Sequence, residues 1–319
     1  MRVLLTGASS FTGLWIARAL AARGAEVTAV CRGRPEHYDR ARRARIEAVG
    51  AGAAVVFDRP FGSPGFLQLL EGALPFDVLC LHHAEVGDFR RPDFQPLDAA
   101  RANTLGLVEV LARMGRRGLA RVVHTGTVFE TGEGDGDRPL KAIGAYGLAK
   151  TLTAAVVRHA AAEAGIEAIK VTIPSPFGPG QGDGFIGQMI EAWCHGRPIV
   201  LNHPDRVRDF VPVDLLAEHY AGLALGRQAV PAGGKSNPSG YVETVQAFAE
   251  RLAGELRPRL GIACLVQASN PPKPSREPRR RFNTEPLPGL FDAAKRAARF
   301  DQLARVCGEH MAATKARAA

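Results

Sequence analysis

Met1-Arg2-Val3-Leu4-Leu5-Thr6-Gly7-Ala8-Ser9-Ser10-Phe11-Thr12-Gly13 reads as a strand, a glycine-bounded turn and the start of a helix. Residues 3–6 are an apolar run of one strand's length that reaches a glycine at once, and a helical pattern begins at Leu14. Gly7 permits a tight turn, and Gly13 lets the helix lie close to the sheet. Between them the amides of Ser9, Ser10, Phe11 and Thr12 stand at a helix N-terminus, where they can hold a pyrophosphate. A glycine pair also occurs for packing alone. Its position here, first in the chain between strand and helix, points to a dinucleotide cofactor.

Outward from this turn the same unit repeats. Residues 27–30, 53–57, 78–81, 121–125 and 169–172 read as buried strands, and residues 14–23, 99–116 and 146–164 carry apolar residues at helical spacing. Such alternation predicts an α/β fold, a doubly wound parallel Rossmann sheet with helices on both faces. After Thr172 the pattern breaks at Pro174, Pro176 and Pro179. A helix is expected near 185–194, an apolar turn near 199–201 and another helix from Asp214. We expect residues 1–172, with 213–237 returning to them, to form the nucleotide-binding domain. Residues 173–212 and 238–319 then form a smaller C-terminal substrate-binding lobe. Within it 270–278 reads as an exposed connection and the tail from Phe291 as helical.

The end of the second strand judges the cofactor's ribose. A carboxylate there would favour NAD, yet the chain reads Cys31-Arg32-Gly33-Arg34. Arg32 and Arg34 could accept a 2′-phosphate, which leans the expectation from NAD toward NADP; the alternative is two solvent-facing arginines.

Composition narrows the partners. With 319 residues, 46% of them hydrophobic and 23% charged, the chain is long enough for a domain and a lobe. The net charge of +9 is spread over dispersed arginines, and aromatics are only 7%, so a solvated basic surface or a few arginines on an anionic substrate fits better than nucleic acid. The apolar start is too short for a signal peptide, and no run approaches the roughly 18 apolar residues of a membrane helix. Five scattered cysteines fit reduced thiols, so a cytoplasmic location is expected.

Tyr146-Gly147-Leu148-Ala149-Lys150 sets a phenol and an ammonium one helical turn apart on one face. A cation beside a tyrosine favours its phenolate, which lets it act as a base, and Lys150 can also hold the nicotinamide ribose. Thr125, closing the strand Val122-Val123-His124-Thr125, would position the reacting oxygen. The bland alternative is a surface pair at helical spacing.

Together these residues resemble the NAD-dependent epimerase/dehydratase family of extended short-chain dehydrogenases, which act on nucleotide sugars. Thr6–Gly13 is similar to the family's glycine-rich turn, and His-Thr-Gly-Thr-Val-Phe-Glu at 124–130 to its Ser-Ser-x-x-Val-Tyr-Gly segment. Phe177-Gly178-Pro179-Gly180-Gln181 and Arg208-Asp209-Phe210-Val211-Pro212-Val213-Asp214 resemble two further motifs in the expected order. The resemblance implies that Asp58 touches adenine, that Asn103 belongs to the cofactor site, and that Thr127, Ser175 and Arg208 meet the substrate, Arg208 through a phosphate. An internal ion pair of Arg208 with Asp209 or Asp214 is the alternative. It also implies a homodimer through the helices at 99–116 and 146–164.

Departures sharpen the expected activity. Ser10 replaces the middle glycine, and Gly126-Thr127 stands where the family's dehydratases carry Asp-Glu, which disfavours dehydration. The reading is an NAD(P)-dependent epimerase passing a nucleotide sugar through a keto intermediate. The alternative is an NADPH-dependent keto-sugar reductase; a dehydratase or a non-catalytic NADP-binding protein ranks lower. His82-His83 reads as loop or core histidines near the cleft, no metal site is expected, and Gly132-Glu133-Gly134-Asp135-Gly136-Asp137 reads as a solvated turn.

Overall fold

The computed structural model describes residues 1–72, 74–85, 87, 91, 93–182, 184–269, 275 and 277–318. The connection expected over 270–278 lies mostly outside them. The first half runs β1 (Arg2–Thr6), α1 (Phe11–Ala22), β2 (Glu26–Val30), α2 (Arg40–Gly50), β3 (Ala54–Val56), α3 (Pro64–Gly72) and β4 (Val78–Leu81). Next come α4 (Pro96–Thr104), α5 (Leu107–Gly115), β5 (Arg121–Thr127), β6 (Asp135–Gly136), α6 (Gly144–Glu163) and β7 (Glu167–Ile173). Then follow β8 (Ser175–Phe177), α7 (Phe185–Cys194), β9 (Ile199–Leu201), β10 (Val207–Pro212), α8 (Val213–Ala224) and β11 (Lys235–Ser236). The chain closes with β12 (Pro238–Ser239), β13 (Tyr241–Thr244), α9 (Val245–Leu260), β14 (Val266–Ala268), β15 (Arg281–Phe282), β16 (Glu285–Pro286) and α10 (Ala293–Ala318).

Among the described residues, seven parallel strands form the central sheet in the order β11-β7-β5-β4-β1-β2-β3. Apolar runs such as Val3-Leu4-Leu5 and Val78-Leu79-Cys80 are fully buried because helices cover both faces. On one face Leu14, Ile16 and Leu20 of α1 meet Ala217, Tyr220 and Ala221 of α8. On the other, Phe66 of α3, Leu107 and Leu111 of α5 and Val157 of α6 close the core. Each large side chain buried this way contributes about 1.5–3 kcal/mol.

The chain leaves β1 toward β2 and β3, then crosses back to place β4, β5 and β7 on the other side. The strand order reverses between β1 and β4, and the crevice outside their carboxyl ends is where such sheets bind ligands. A second core, centred on Phe177, Met189, Trp193, Phe210, Phe248 and Leu252, joins the sheet β13-β10-β8 to α7, α9 and α10. The stacked rings of Phe210 and Phe248 lie 3.7 Å apart.

The expected helix over 99–116 is two helices. Gly106 takes φ +67, outside helical space, and a Cβ there would lie 2.8 Å from the Gly62 backbone. The chain therefore breaks between α4 and α5 to let the loop after β3 approach.

Candidate active site

The glycine turn is built tightly. Gly7 takes φ +74, and a Cβ on it would lie 2.8 Å from the His82 backbone, so the turns after β1 and β4 touch through it. A Cβ at Gly13 would lie 2.3 Å from Gly7 O, so α1 begins against its own turn. Ser10, at the middle-glycine position, is the N-cap of α1: its Oγ accepts from Gly13 N at 3.0 Å. The hydroxyl thus has a structural task, and the turn keeps the close approach and helix N-terminus that a pyrophosphate needs. Ser9 turns its carbonyl to Arg45 Nη1 at 3.0 Å, and the Phe11 ring reaches toward Gly178.

His82 joins this turn to the reacting end of the site. Its Nε2 lies 2.8 Å from Thr12 Oγ1 and 3.1 Å from Ser10 Oγ, while its Nδ1 lies 2.9 Å from Thr125 Oγ1. His83 Nε2 meets Asn103 O at 3.1 Å, and its Nδ1 meets Thr6 Oγ1 at 2.9 Å. Burial and the nearby Lys150 charge pull His82 down to about 3; burial pulls His83 down to about 4. Both are neutral at physiological pH. His82 thus lies near the cleft as expected, and its contacts to Ser10, Thr12 and Thr125 bridge the crevice, which the sequence did not show.

Lys150 and Thr125 are brought together by backbone as well as by spacing. Lys150 Nζ donates to Thr125 O at 2.7 Å, and the buried Thr125 hydroxyl donates to Tyr220 OH at 3.2 Å. Tyr146 stands half-buried one turn earlier on α6. Burial lowers the Lys150 ammonium to about 8 and pushes the Tyr146 phenol up to about 12, with the Glu130 carboxylate adding to the rise. Burial thus raises the Tyr146 phenol rather than lowering it as expected, while Lys150 Nζ is engaged by the Thr125 carbonyl.

A buried charge cluster lies beneath this pair. Glu130, 1% exposed, accepts from Thr127 N at 2.8 Å through Oε1 and pairs with Lys170 through Oε2. Lys170 also meets Glu133 Oε1 at 3.0 Å, and Glu133 Oε2 takes Thr172 Oγ1 at 3.1 Å and Lys235 Nζ at 3.2 Å. The segment expected to be a solvated turn therefore carries a buried carboxylate, because Lys170 and Lys235 on adjacent strands need a counter-charge. Gly126 sits over the cluster: a Cβ there would lie 2.4 Å from Lys170 Cε and 2.9 Å from Glu130 Oε1. A side chain there would require Lys170 and Glu130 to move aside. Sequence reading gave Glu130 and Lys170 no role of their own and read Glu133 as part of a solvated turn.

At the ribose end, Arg32 Nη1 lies 2.7 Å from Glu85 Oε2, and Arg34 Nε lies 3.4 Å from Asp58 Oδ2. A 2′-phosphate would have to displace these exposed carboxylates, whose pairing is worth little. Asp58 adopts φ +57 at the close of β3, a conformation aspartate tolerates. Asn103 is buried and donates through Nδ2 to Thr153 Oγ1 at 3.1 Å while its Oδ1 accepts from Glu85 N, so it fixes the loop after β4 against α6.

On the substrate side, Thr127 is buried beside Glu130, and Ser175 opens β8 against Phe210 of β10. Arg208 is buried in β10 and engaged internally. Nη1 donates to Val207 O at 2.9 Å and Arg279 O at 3.2 Å; Nη2 donates to Pro278 O and Glu277 Oε2, each at 3.1 Å. Its ionic partner is Glu277 rather than Asp209 or Asp214. Asp209 accepts from Gly240 N and Asn283 N, and Asp214 pairs with Arg299. In this conformation a phosphate would reach Arg208 only by displacing Glu277, which Arg206 also holds at 2.9 Å.

Known structures share this architecture. The UDP-glucose 4-epimerase of Thermotoga maritima with UDP-glucose is 18% identical, with a TM-score of 0.70 over 98% of this chain and 100% of that one. The UDP-glucuronic acid 4-epimerase of Bacillus cereus with UDP-glucuronic acid and NAD is 16% identical, with a TM-score of 0.67 over 98% and 100%. The Thermus thermophilus UDP-glucose 4-epimerase complex with NAD is 19% identical, with a TM-score of 0.65 over 98% and 99%. At these identities the likeness establishes the fold. No curated protein matches the chain. The family whose sequence pattern matches residues 3–228 is described as the NAD dependent epimerase/dehydratase family, and with most of its length in that match the chain belongs to it.

Proposed function

We propose that the protein is a nucleotide-sugar epimerase that holds a nicotinamide dinucleotide in the β1/β4 crevice and inverts a ring carbon through a keto intermediate. The observation that carries this is the placement of Tyr146 and Lys150 on α6, with Lys150 tied to Thr125 O at the end of β5. The fit of Gly7 and Gly13 to a close-approaching pyrophosphate supports the cofactor. The nicotinamide, when bound, supplies hydride acceptance and return. Tyr146 takes the proton of the sugar hydroxyl and later returns it to the keto oxygen. Lys150 offers its charge to the phenolate and its remaining donors to a ribose, and Thr125, held by His82 and Tyr220, fixes the height at which the oxygen sits.

NAD is the form we propose, in keeping with the Bacillus and Thermus epimerases solved with it. The substrate is proposed to be a UDP-sugar, as in the Thermotoga and Bacillus complexes, held by Thr127, Ser175 and Arg208 once Glu277 gives way. Dehydration is disfavoured because Gly126-Thr127 offers no carboxylate where the family's dehydratases carry Asp-Glu.

Among the described residues no helix is long and apolar enough to cross a membrane. A cytoplasmic homodimer is proposed, through Leu97 on α4, Leu105, Val108 on α5, and Leu148 and Val156 on α6, all exposed apolar residues. Denaturing the purified protein and identifying the released nucleotide tests the cofactor claim. Near-stoichiometric NAD supports the epimerase; an empty protein that binds and consumes NADPH would replace it with the keto-sugar reductase.

A further inference from the structure

Two side chains finish the free edge of β5, and they carry opposite charges. Val128 N donates to Ile173 O of β7, so by strand alternation Thr125 and Thr127 turn their backbone groups to the other edge. There β4 has already ended, its Leu81 paired with His124. Lys150 Nζ takes the orphaned Thr125 carbonyl at 2.7 Å, and Glu130 Oε1 takes the orphaned Thr127 amide at 2.8 Å. In an extended strand those two backbone groups lie roughly 5 Å apart. Gly126 between them has no side chain, and the Lys170 stem crosses its bare face to reach Glu130.

We propose that Glu130 is a positioning residue that keeps the Lys150 ammonium charged, by holding a fixed carboxylate at the same edge of β5 against the competing charge of Lys170. The catalytic meaning of this arrangement rests on the epimerase reading; the electrostatic arrangement itself does not. A buried lysine on α6 loses hydration that favours its charged form, and Lys170 on β7 adds repulsion. Glu130 is the carboxylate that opposes both, and it is almost wholly buried, so solvent screens it little. The other groups facing Lys150 do not titrate in the same range. His82 and His83 after β4 are held down to about 3 and about 4, and His124 on β5 lies well below its ordinary value. Tyr146 on α6 is pushed up to about 12.

The test reads Lys150 directly, without substrate. The protein is labelled with [ε-13C]lysine, its Lys150 signal is assigned from the spectrum of Lys150→Met, and the signal is titrated in wild type and in charge variants. Glu130→Gln should lower the Lys150 midpoint by about 1–2 pH units, Lys170→Met should raise it, and the double variant should return it near wild type. Damage to packing would move both single variants the same way. If Glu130→Gln folds poorly, the comparison of Lys170→Met with the double variant carries the same test, because the carboxylate is then removed without leaving Lys170 unpaired. A Lys150 midpoint that is indifferent to Glu130, or that moves in one direction in both single variants, overturns the proposal. Opposite shifts in a protein that turns over no sugar would uphold it and sink the epimerase reading alone.

Discussion

Gly147 sits between Tyr146 and Lys150, the two residues of α6 proposed to be catalytic, and replacing it with alanine tests how closely that helix is docked. A Cβ at Gly147 would lie 2.2 Å from Phe129 O and 3.1 Å from Phe129 C. The same carbonyl accepts from Ile143 N at 2.8 Å, so it is the point where the start of α6 rests on the loop after β5. An ordinary close carbon–oxygen contact is about 3.3 Å, so α6 must lift by roughly 1 Å to admit the methyl. On propensity alone Gly147→Ala in a helix interior should stabilise by about 1 kcal/mol. Overpacking against backbone should cost about 1–3 kcal/mol, so the net expectation is a loss of up to about 2 kcal/mol. A 1 Å displacement of Tyr146 and Lys150 should lower kcat/KM about 100-fold. Urea unfolding followed by circular dichroism gives the first quantity, and initial rates at saturating cofactor give the second. A variant more stable by about 1 kcal/mol with unchanged kcat/KM would refute the docking argument.

Three further expectations follow from the site. Tyr146→Phe should abolish turnover while leaving cofactor affinity unchanged by fluorescence titration; retained turnover would remove Tyr146 from the mechanism. His83 has a folded pKa depressed from 6.5 to about 4, so its contribution is intact above about pH 6.5 and is lost as pH falls toward 4. At pH 5 the loss is about 2 kcal/mol, and His83→Gln should lose that much less stability than wild type between pH 7 and pH 5; equal losses would contradict the burial argument. Glu277→Gln should weaken the hold on Arg206 and Arg208 and tighten UDP binding by calorimetry, and an unchanged affinity would mean that this pair is not where the diphosphate sits.

The parts of the fold that sequence reading reached are those whose signal is local. The β1 run, the turn to Gly13 and the Tyr146–Lys150 spacing each lie within a few residues, and the structure places them as continuous units. The break at Gly106 was hidden because residues 99–116 hold a helical period throughout, and only contact with Gly62 from a distant loop forces the positive φ. Strand β11, two residues long, is too short for any period to show, yet it closes one edge of the main sheet against β7. Within the site, Glu130 and Lys170 are 40 positions apart and meet only because β5 and β7 are neighbours. Arg208 and its partner Glu277 are 69 apart. His82 could have been found: in a doubly wound sheet the residue after β4 faces the glycine turn after β1, and a histidine there has donors and acceptors to join them.

Oxidation and re-reduction at one ring carbon, with the cofactor retained, can be followed by incubating the protein, charged with NAD, with UDP-glucose and UDP-glucuronic acid, each carrying deuterium at C4, and observing the sugar by proton NMR. At least one substrate should yield its C4 epimer with the deuterium still on C4 and no net reduced cofactor. Neither sugar turning over, or deuterium leaving for the cofactor pool or for water, would contradict it.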